Sequence, residues 1–245
     1  MVSLNSDLGE SLGLHSFGND ERLLRIIDVA NVACGFHAGD PETLRTTVEA
    51  AVHAGVAVGA HPGLPDLVGF GRRAMQLSAA EVGSLVLYQV GALVAFLARS
   101  GGRLSHIKPH GALYGMVGRD PELMHAVADV AELYEVPLYG LAGTAHEAVA
   151  AERGIPFVAE LYVDLDYNAD GTLRIERKPH LTDPAAAAER VREALAGGSI
   201  AAWDGTRIAV SFDSVCVHSD TANSVDVAAA VAAVIGGAST AKEHP

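Results

Sequence analysis

The stretch Asn31-Val-Ala-Cys-Gly-Phe-His-Ala-Gly-Asp40 decides how this chain is read. It opens in a short apolar run, residues 29–34, with the length and content of a buried strand. The run stops at Gly35, and a glycine-broken loop then presents His37 and Asp40. Pro41 follows, the residue favoured at the first position of a helix, with Asp40 placed to cap it. A titratable pair therefore stands where a buried strand ends and a helix begins. In parallel α/β proteins that edge holds ligands and chemistry. Taken alone, the stretch reads equally well as a helix cap followed by a turn; its recurrence along the chain favours the functional reading.

Working outward, residues 2–6 read as a strand that runs into Asp7 and Glu10. Residues 56–60 end in His61-Pro-Gly63, and residues 104–107 deliver Lys108-Pro-His-Gly-Ala-Leu-Tyr114. Residues 157–163 lead into Asp164; residues 208–217, broken near Asp213, lead into His218-Ser-Asp220. Residues 137–141 add one more strand. Helical patterns fill the intervals at 21–28, 42–53, 121–133, 145–153, 184–195 and 224–235. The longest helix, from the Ser78 and Glu81 capping box to about residue 100, is nearly all apolar and is expected to be buried, with a subunit contact as one cover for it. Strand and helix alternate at least seven times with no linker-like break. That predicts one domain, residues 1–237, folded as a distorted seven- or eight-stranded parallel (β/α) barrel, a fold that uses roughly 250 residues. Residues 238–245 read as a polar, disordered tail.

The net charge of −13 comes with no Lys/Arg-rich run, which argues against nucleic acid and anionic membrane as partners and leaves a small-molecule substrate. Two cysteines, Cys34 and Cys216, are too few for a disulfide scaffold. There is no basic leader with an apolar core, and the longest apolar stretch, residues 85–98, is short for a bilayer and carries Gln89. A cytoplasmic protein is expected.

Strands of one parallel barrel end on one face. Asp7, His37, His61, Lys108, His110, Asp164 and His218 are therefore expected to converge on one mouth. Asp with two or three His is a divalent-metal set, with Asp7, His37 and His61 as the candidate ligands; the same groups serve equally as general acids and bases without metal. A Lys108 buried beside apolar strands needs an anion, for which Asp7 is a candidate. The loop at 64–73, with Gly69, Gly71, Arg72 and Arg73, reads either as an anion-binding lid or as a solvated loop. No Gly-x4-Gly-Lys-Ser/Thr and no Gly-x-Ser-x-Gly occurs, so neither a P-loop nor a serine nucleophile elbow is present. His37 and His110 are flanked by Gly, Ala and Pro and are expected in loops outside the packed interior, where replacement would leave folding nearly intact. His15, His53, His106, His125, His146, His180 and His244 read as surface or structural.

Six ordered motifs carry a family resemblance: Asn5-Ser-Asp-Leu-Gly-Glu10, Ala33-Cys-Gly-Phe-His-Ala-Gly-Asp40, Gly59-Ala-His-Pro-Gly63, Val68-Gly-Phe-Gly-Arg-Arg73, Lys108-Pro-His-Gly-Ala-Leu-Tyr114 and Cys216-Val-His218. Over residues 2–235 the chain resembles the LamB/YcsF family. The resemblance implies a distorted barrel related to the polysaccharide-deacetylase superfamily. It implies one component of an ATP-dependent 5-oxoprolinase, which opens the lactam of 5-oxo-L-proline to L-glutamate with cleavage of ATP to ADP and phosphate, alongside B and C subunits. On that reading Asp7, His37, His61, Lys108 and His110 are catalytic. Asn5, Glu10, Asp40, Arg72, Arg73, Tyr114, Asp164 and His218 bind substrate or nucleotide. ATP is the cofactor, with magnesium as its partner or a divalent ion at the site. Leu165 stands where the family often has Arg, and Ser219 where it often has Gly; Arg174 and Arg177 are the cations that would compensate. Two other readings fit these residues: a metal-dependent amide hydrolase or deacetylase that works without ATP, and a non-catalytic subunit that binds 5-oxoproline.

Overall fold

Seven strands, all parallel, close on themselves in the computed structural model, which describes residues 2–174 and 180–241. The strands are β1 (Ser3–Leu8), β2 (Val29–Ala33), β3 (Ala57–His61), β4 (Leu104–Ile107), β5 (Leu138–Gly140), β6 (Phe157–Tyr162) and, after four short hairpin strands, β11 (Ser214–His218). They neighbour one another in chain order, and β11 closes the ring between β6 and β1. The barrel expected from the sequence is thus present with seven strands. The hairpin strands are β7 (Asp166–Tyr167) with β8 (Leu173–Arg174), and β9 (Ser199–Ala201) with β10 (Arg207–Ala209), both antiparallel.

Side chains alternate along a strand, so each barrel strand has an outer and an inner set. Leu4, Leu8, Ala30, Val32, Val58, Ala60, Ile107, Leu161, Val215 and Val217 belong to the apolar core beneath the helices. The other parity is polar: Asn5, Asp7, Asn31, His61, His106, Glu160 and Ser214 are all buried. Branched apolar layers usually fill such a barrel. Here the interior is a hydrogen-bonded polar network, and the fold depends on satisfying every member of it.

The helices are α1 (Asp20–Leu23), α2 (Pro41–Ala54), α3 (Ala79–Arg99), α4 (Gly111–Val117), α5 (Pro121–Leu133), α6 (Ala145–Arg153), α7 (Pro184–Gly197) and α8 (Ser224–Ala241). Three of them begin with Asp-Pro. Asp40, Asp120 and Asp183 each accept hydrogen bonds from the first free amides, and proline takes the position that has no donor to lose. Helix α3 is not buried all round. Val82, Val86, Gln89, Val90, Leu93 and Leu97 face the barrel, while Leu87 and Tyr88 are exposed. It is long and apolar enough to cross a membrane, yet its buried stripe packs on β3 and β4. Gln89 is held within that stripe, bonded to the backbone N and O of Gly63. Helix α4 lies outside the sequence-based expectation, since no capping side chain announces it. Helix α8 runs six residues past its expected end at Ile235 into the stretch read as a tail; residues 242–245 of that tail lie outside the described residues.

Candidate active site at the carboxyl ends of the strands

Asp7 is the centre of the site. It sits in β1 one residue from the strand end, 2% exposed. Its Oδ1 accepts from Lys108 Nζ at 2.9 Å and from Asn31 Nδ2 at 2.8 Å. Its Oδ2 faces His61 Nε2 at 3.2 Å and His218 Nε2 at 3.5 Å. Burial alone would raise the carboxyl pKa; attraction to His61 and Lys108 overrides it and holds Asp7 well below the ordinary value, as a carboxylate. Lys108 also lies 3.1 Å from Glu160 Oε1 and 3.1 Å from Cys216 Sγ. Burial opposes its charge, but Asp7 and the other groups around it raise its pKa well above normal. Sequence reasoning does not single out Glu160; the available signal is an acid inside the apolar run Phe157-Val-Ala-Glu-Leu-Tyr162.

The β2–β4 side of the mouth is a wall of imidazoles. The His37 and His110 rings stack at 3.7 Å, with His61 edge-on to both. Glycines make room for them: a Cβ at Gly63 would overlap His37, and one at Gly71 would press on His37 and His110. His37 and His110 do stand in the loops that follow β2 and β4, as expected, but at 1% and 3% exposed their side chains are packed inside, contrary to the expectation that they lie outside the packed interior. Burial, then the neighbouring imidazoles, lowers the pKa of both well below normal, and both are neutral. Backbone carbonyls fix two tautomers. His61 Nδ1–H donates to Lys108 O at 2.7 Å, and His110 Nε2–H donates to Phe70 O at 2.8 Å. The remaining lone pairs, on His61 Nε2 and His110 Nδ1, then face each other at 3.0 Å. Two lone pairs at that distance require a shared proton or a cation. Glu10 Oε1 lies 3.4 Å from His37 Nε2 and 3.8 Å from His110 Nδ1, and His37 Nδ1 is buried without a partner. Glu10, His37, His61 and His110 fit a divalent ion: nitrogen and carboxylate donors converge, and carbonyls hold the second nitrogens of His61 and His110. Two of the expected ligands, His37 and His61, belong to this set, and Asp7 adjoins it. The neighbouring group of Asp7, Cys216 and His218 does not fit an ion, because the Lys108 ammonium already sits against Asp7 and Cys216.

The β6–β11 side is different. His218 Nδ1 lies 3.0 Å from Asp164 Oδ1, and its backbone N–H donates to Asp164 Oδ2 at 2.6 Å. Burial opposes protonation, but Asp164 raises His218 to a pKa of about 9. Arg72 reaches Asp220 at 2.8 Å. Tyr162 donates to Glu160 at 2.9 Å, and Tyr114 packs edge-on to Tyr162.

Asp7, His61, Arg72, Lys108, His110, Tyr114, Asp164 and His218 line one cleft, so the expected convergence on one mouth is real for these residues. Glu10 and His37 lie behind it. Asn5 is buried below Asp7, bonded to Ser214 and Asn31, out of reach of a ligand in the cleft. Asp40 caps α2 and accepts from Gly13 N, and Arg73 pairs with Asp66; neither lines the cleft. Leu165, Arg174 and His180 do line it, His180 as an exposed residue at its rim, in keeping with the surface reading. Arg174 rests over the Trp203 ring at 4.6 Å. Arg177 lies outside the described residues.

Fold and site together define a parallel (β/α) barrel protein that gathers buried titratable groups, among them a His/Glu cluster that could hold a metal ion, at the carboxyl ends of its strands. More particularly, the chain belongs to the LamB/YcsF family, whose model matches residues 2–244. It is 47% identical over 223 residues to a Limosilactobacillus fermentum protein named as the A subunit of 5-oxoprolinase, with 89% of each chain covered. A Brevibacillus brevis protein of the same name is 43% identical, covering 97% of this chain and 95% of its own. The crystal structure of the lactam utilization protein from Thermus thermophilus superposes with a TM-score of 0.88 at 42% identity, covering 97% of each chain.

Proposed function

We propose that the chain works in the cytoplasm as the A subunit of an ATP-dependent 5-oxoprolinase, with B and C subunits, and opens the lactam of 5-oxo-L-proline to L-glutamate. The observation that carries this reading is Asp7 Oδ2 set between His61 and the protonated His218. It pairs an acceptor for a proton of water with a donor for a leaving amine, in a chain whose relatives carry that name. A lactam is a resonance-stabilised amide and resists water. Transfer of the terminal phosphoryl group of ATP to the carbonyl oxygen releases ADP and activates the ring carbon. Water adds there and gives its proton to Asp7 Oδ2. The ring C–N bond breaks, the nitrogen takes a proton from His218, and a second water frees phosphate from the acyl phosphate. Arg72 and Arg174 are the cleft cations for phosphate and for the substrate carboxylate. A divalent ion held by Glu10, His37, His61 and His110 would supply Lewis acidity toward the carbonyl.

The test is 5-oxoproline-dependent ADP release by the chain alone and then with B and C partners. Release only in the complete mixture is expected, because the chain has no P-loop. No release from the complete mixture would overturn the function. Ring opening by the chain with a divalent ion and no ATP would replace it with the metal-dependent amide hydrolase.

A further inference from the structure

His106 lies one layer below the cleft, 1% exposed, and the mechanism above does not use it. It stands on β4 and points into the barrel, where the Tyr139 ring lies against it at 4.0 Å. On the neighbouring strand, β3 has Gly59, and a Cβ there would overlap the His106 ring. The strand therefore omits a side chain where the imidazole enters. His106 Nε2 is 2.6 Å from Asn31 Oδ1, and Ser105 Oγ is 2.7 Å from His106 Nδ1. Asn31 Oδ1 can only accept, so His106 donates through Nε2 and accepts from Ser105 at Nδ1. A neutral ring is required for this, and burial lowers the His106 pKa to about 3.

The far end of Asn31 does two things. Its Nδ2 donates to Asn5 Oδ1 at 2.8 Å and to Asp7 Oδ1 at 2.8 Å. A flipped amide would set Oδ1 against both of those acceptors. Together with Lys108, Asn31 thus occupies Asp7 Oδ1 and leaves Oδ2 turned toward His61 and His218. We propose that His106 is a positioning residue that acts through Asn31 to lock the Asp7 carboxylate with Oδ2 facing the cleft. Loss of its N–H frees the Asn31 amide to rotate and lets Asp7 turn about Lys108 alone. The kinetic side of this inference rests on the lactam hydrolysis proposed above; the geometric side does not.

Two measurements separate them. In the free 15N-labelled chain, nitrogen shifts are expected to show His106 as the Nε2–H tautomer, and the Asn31 side-chain amide to be protected from solvent exchange. His106→Leu should remove that protection and His106→Gln, whose amide can donate to Asn31, should restore it. Unchanged Asn31 signals in His106→Leu would overturn the positioning role whatever the reaction. In the reconstituted complex, His106→Leu is expected to lower kcat by about tenfold to a hundredfold with KM held within about twofold, the scale of a misplaced reacting group. His106→Gln should recover most of the loss, and His106→Leu combined with Asn31→Ala should be no slower than Asn31→Ala alone. A His106→Leu variant that melts earlier and keeps wild-type kcat would make the residue merely structural. A wild-type complex without turnover would defeat the functional reading and leave the nitrogen shifts to decide the geometry.

Discussion

The two walls that flank Asp7 bury their histidines to opposite effect. On the β2–β4 side, His37 and His110 stack on each other; their carboxyl neighbour Glu10, 3.4 Å from His37 Nε2, is itself pushed well above its ordinary pKa by burial and by Asp7 and supplies no anion, so both imidazoles are held neutral. On the β6–β11 side, His218 is bonded twice by Asp164 and stays protonated to about pH 9. Burial is common to both, so the partner decides the charge. Neutral lone pairs suit a metal or a base; an imidazolium suits an acid. One barrel mouth thereby holds both halves of an acid–base pair at neutral pH, with pKa values driven apart by environment.

The harshest way to break this division is to remove the group between the walls. Asp7→Asn should lower 5-oxoproline turnover by the complex by about a thousandfold or more, within the range for loss of a proton acceptor. Lys108 keeps Glu160 as a carboxylate partner, so the variant is expected to fold. The check is turnover of the reconstituted complex beside a melting curve; near wild-type turnover would show that Asp7 only anchors Lys108.

A gentler change tests the charged wall alone. His218 binds its proton more tightly than an ordinary imidazole at 6.5, so its cationic form persists until pH rises through about 9. Activity that needs the imidazolium should fall on the alkaline side near there. Asp164→Asn keeps an acceptor for the His218 amide and removes the charge, so the alkaline limb should move down toward the ordinary histidine value. At pH 8 this amounts to about a tenfold loss for a donor titrating near 7. A pH profile of kcat/KM for the complex decides it. A limb that does not move would take the donor role away from His218.

Much of this is legible in the chain. Apolar runs ending at His, Lys or Asp beside Gly or Pro mark the strand ends, and Asp-Pro marks three helix starts, because strand burial and helix capping are local effects. The hairpin at β7–β8 follows the turn signal at Asn168–Gly171. Asp204-Gly205 carries an equal signal for β9–β10, which the expectation of a strand from Ile208 to Val217 broken near Asp213 leaves unused, although the break itself is there between β10 and β11. The polar interior is not legible. Asn5, Asn31, His106 and Glu160 interrupt apolar runs, and only barrel closure brings β1, β2, β4 and β6 into a register where they pair. The burial of His37 and His110 escapes for the same reason: Gly and Ala beside them suggest open loops, whereas Gly63 and Gly71 are small in order to let the rings in.

The rule that a partner decides the charge of a buried group can also be tested outside both walls, where the effect is smallest. Asp20 is the first residue of α1; its Oδ2 accepts from Gly9 N at 2.8 Å, and its Oδ1 is buried without a partner. No cation among the described residues faces it, and burial raises its pKa from 3.8 to about 6. The folded chain therefore binds this proton more tightly than the unfolded chain. Between pH 4 and 6 the folded state holds more protons, so this group's contribution to stability falls as pH rises, by roughly 3 kcal/mol at most across the window. Asp20→Asn keeps an oxygen for Gly9 and removes the charge. Relative to wild type it should be most stabilising at pH 7, with the advantage shrinking toward pH 4, and activity of the complex should not change. Denaturation midpoints of the two chains at pH 4.5, 5.5 and 7 measure the difference. A variant equally or less stable than wild type at pH 7 would mean that Asp20 has a charge partner after all, and burial without a partner would lose its clearest case in this molecule.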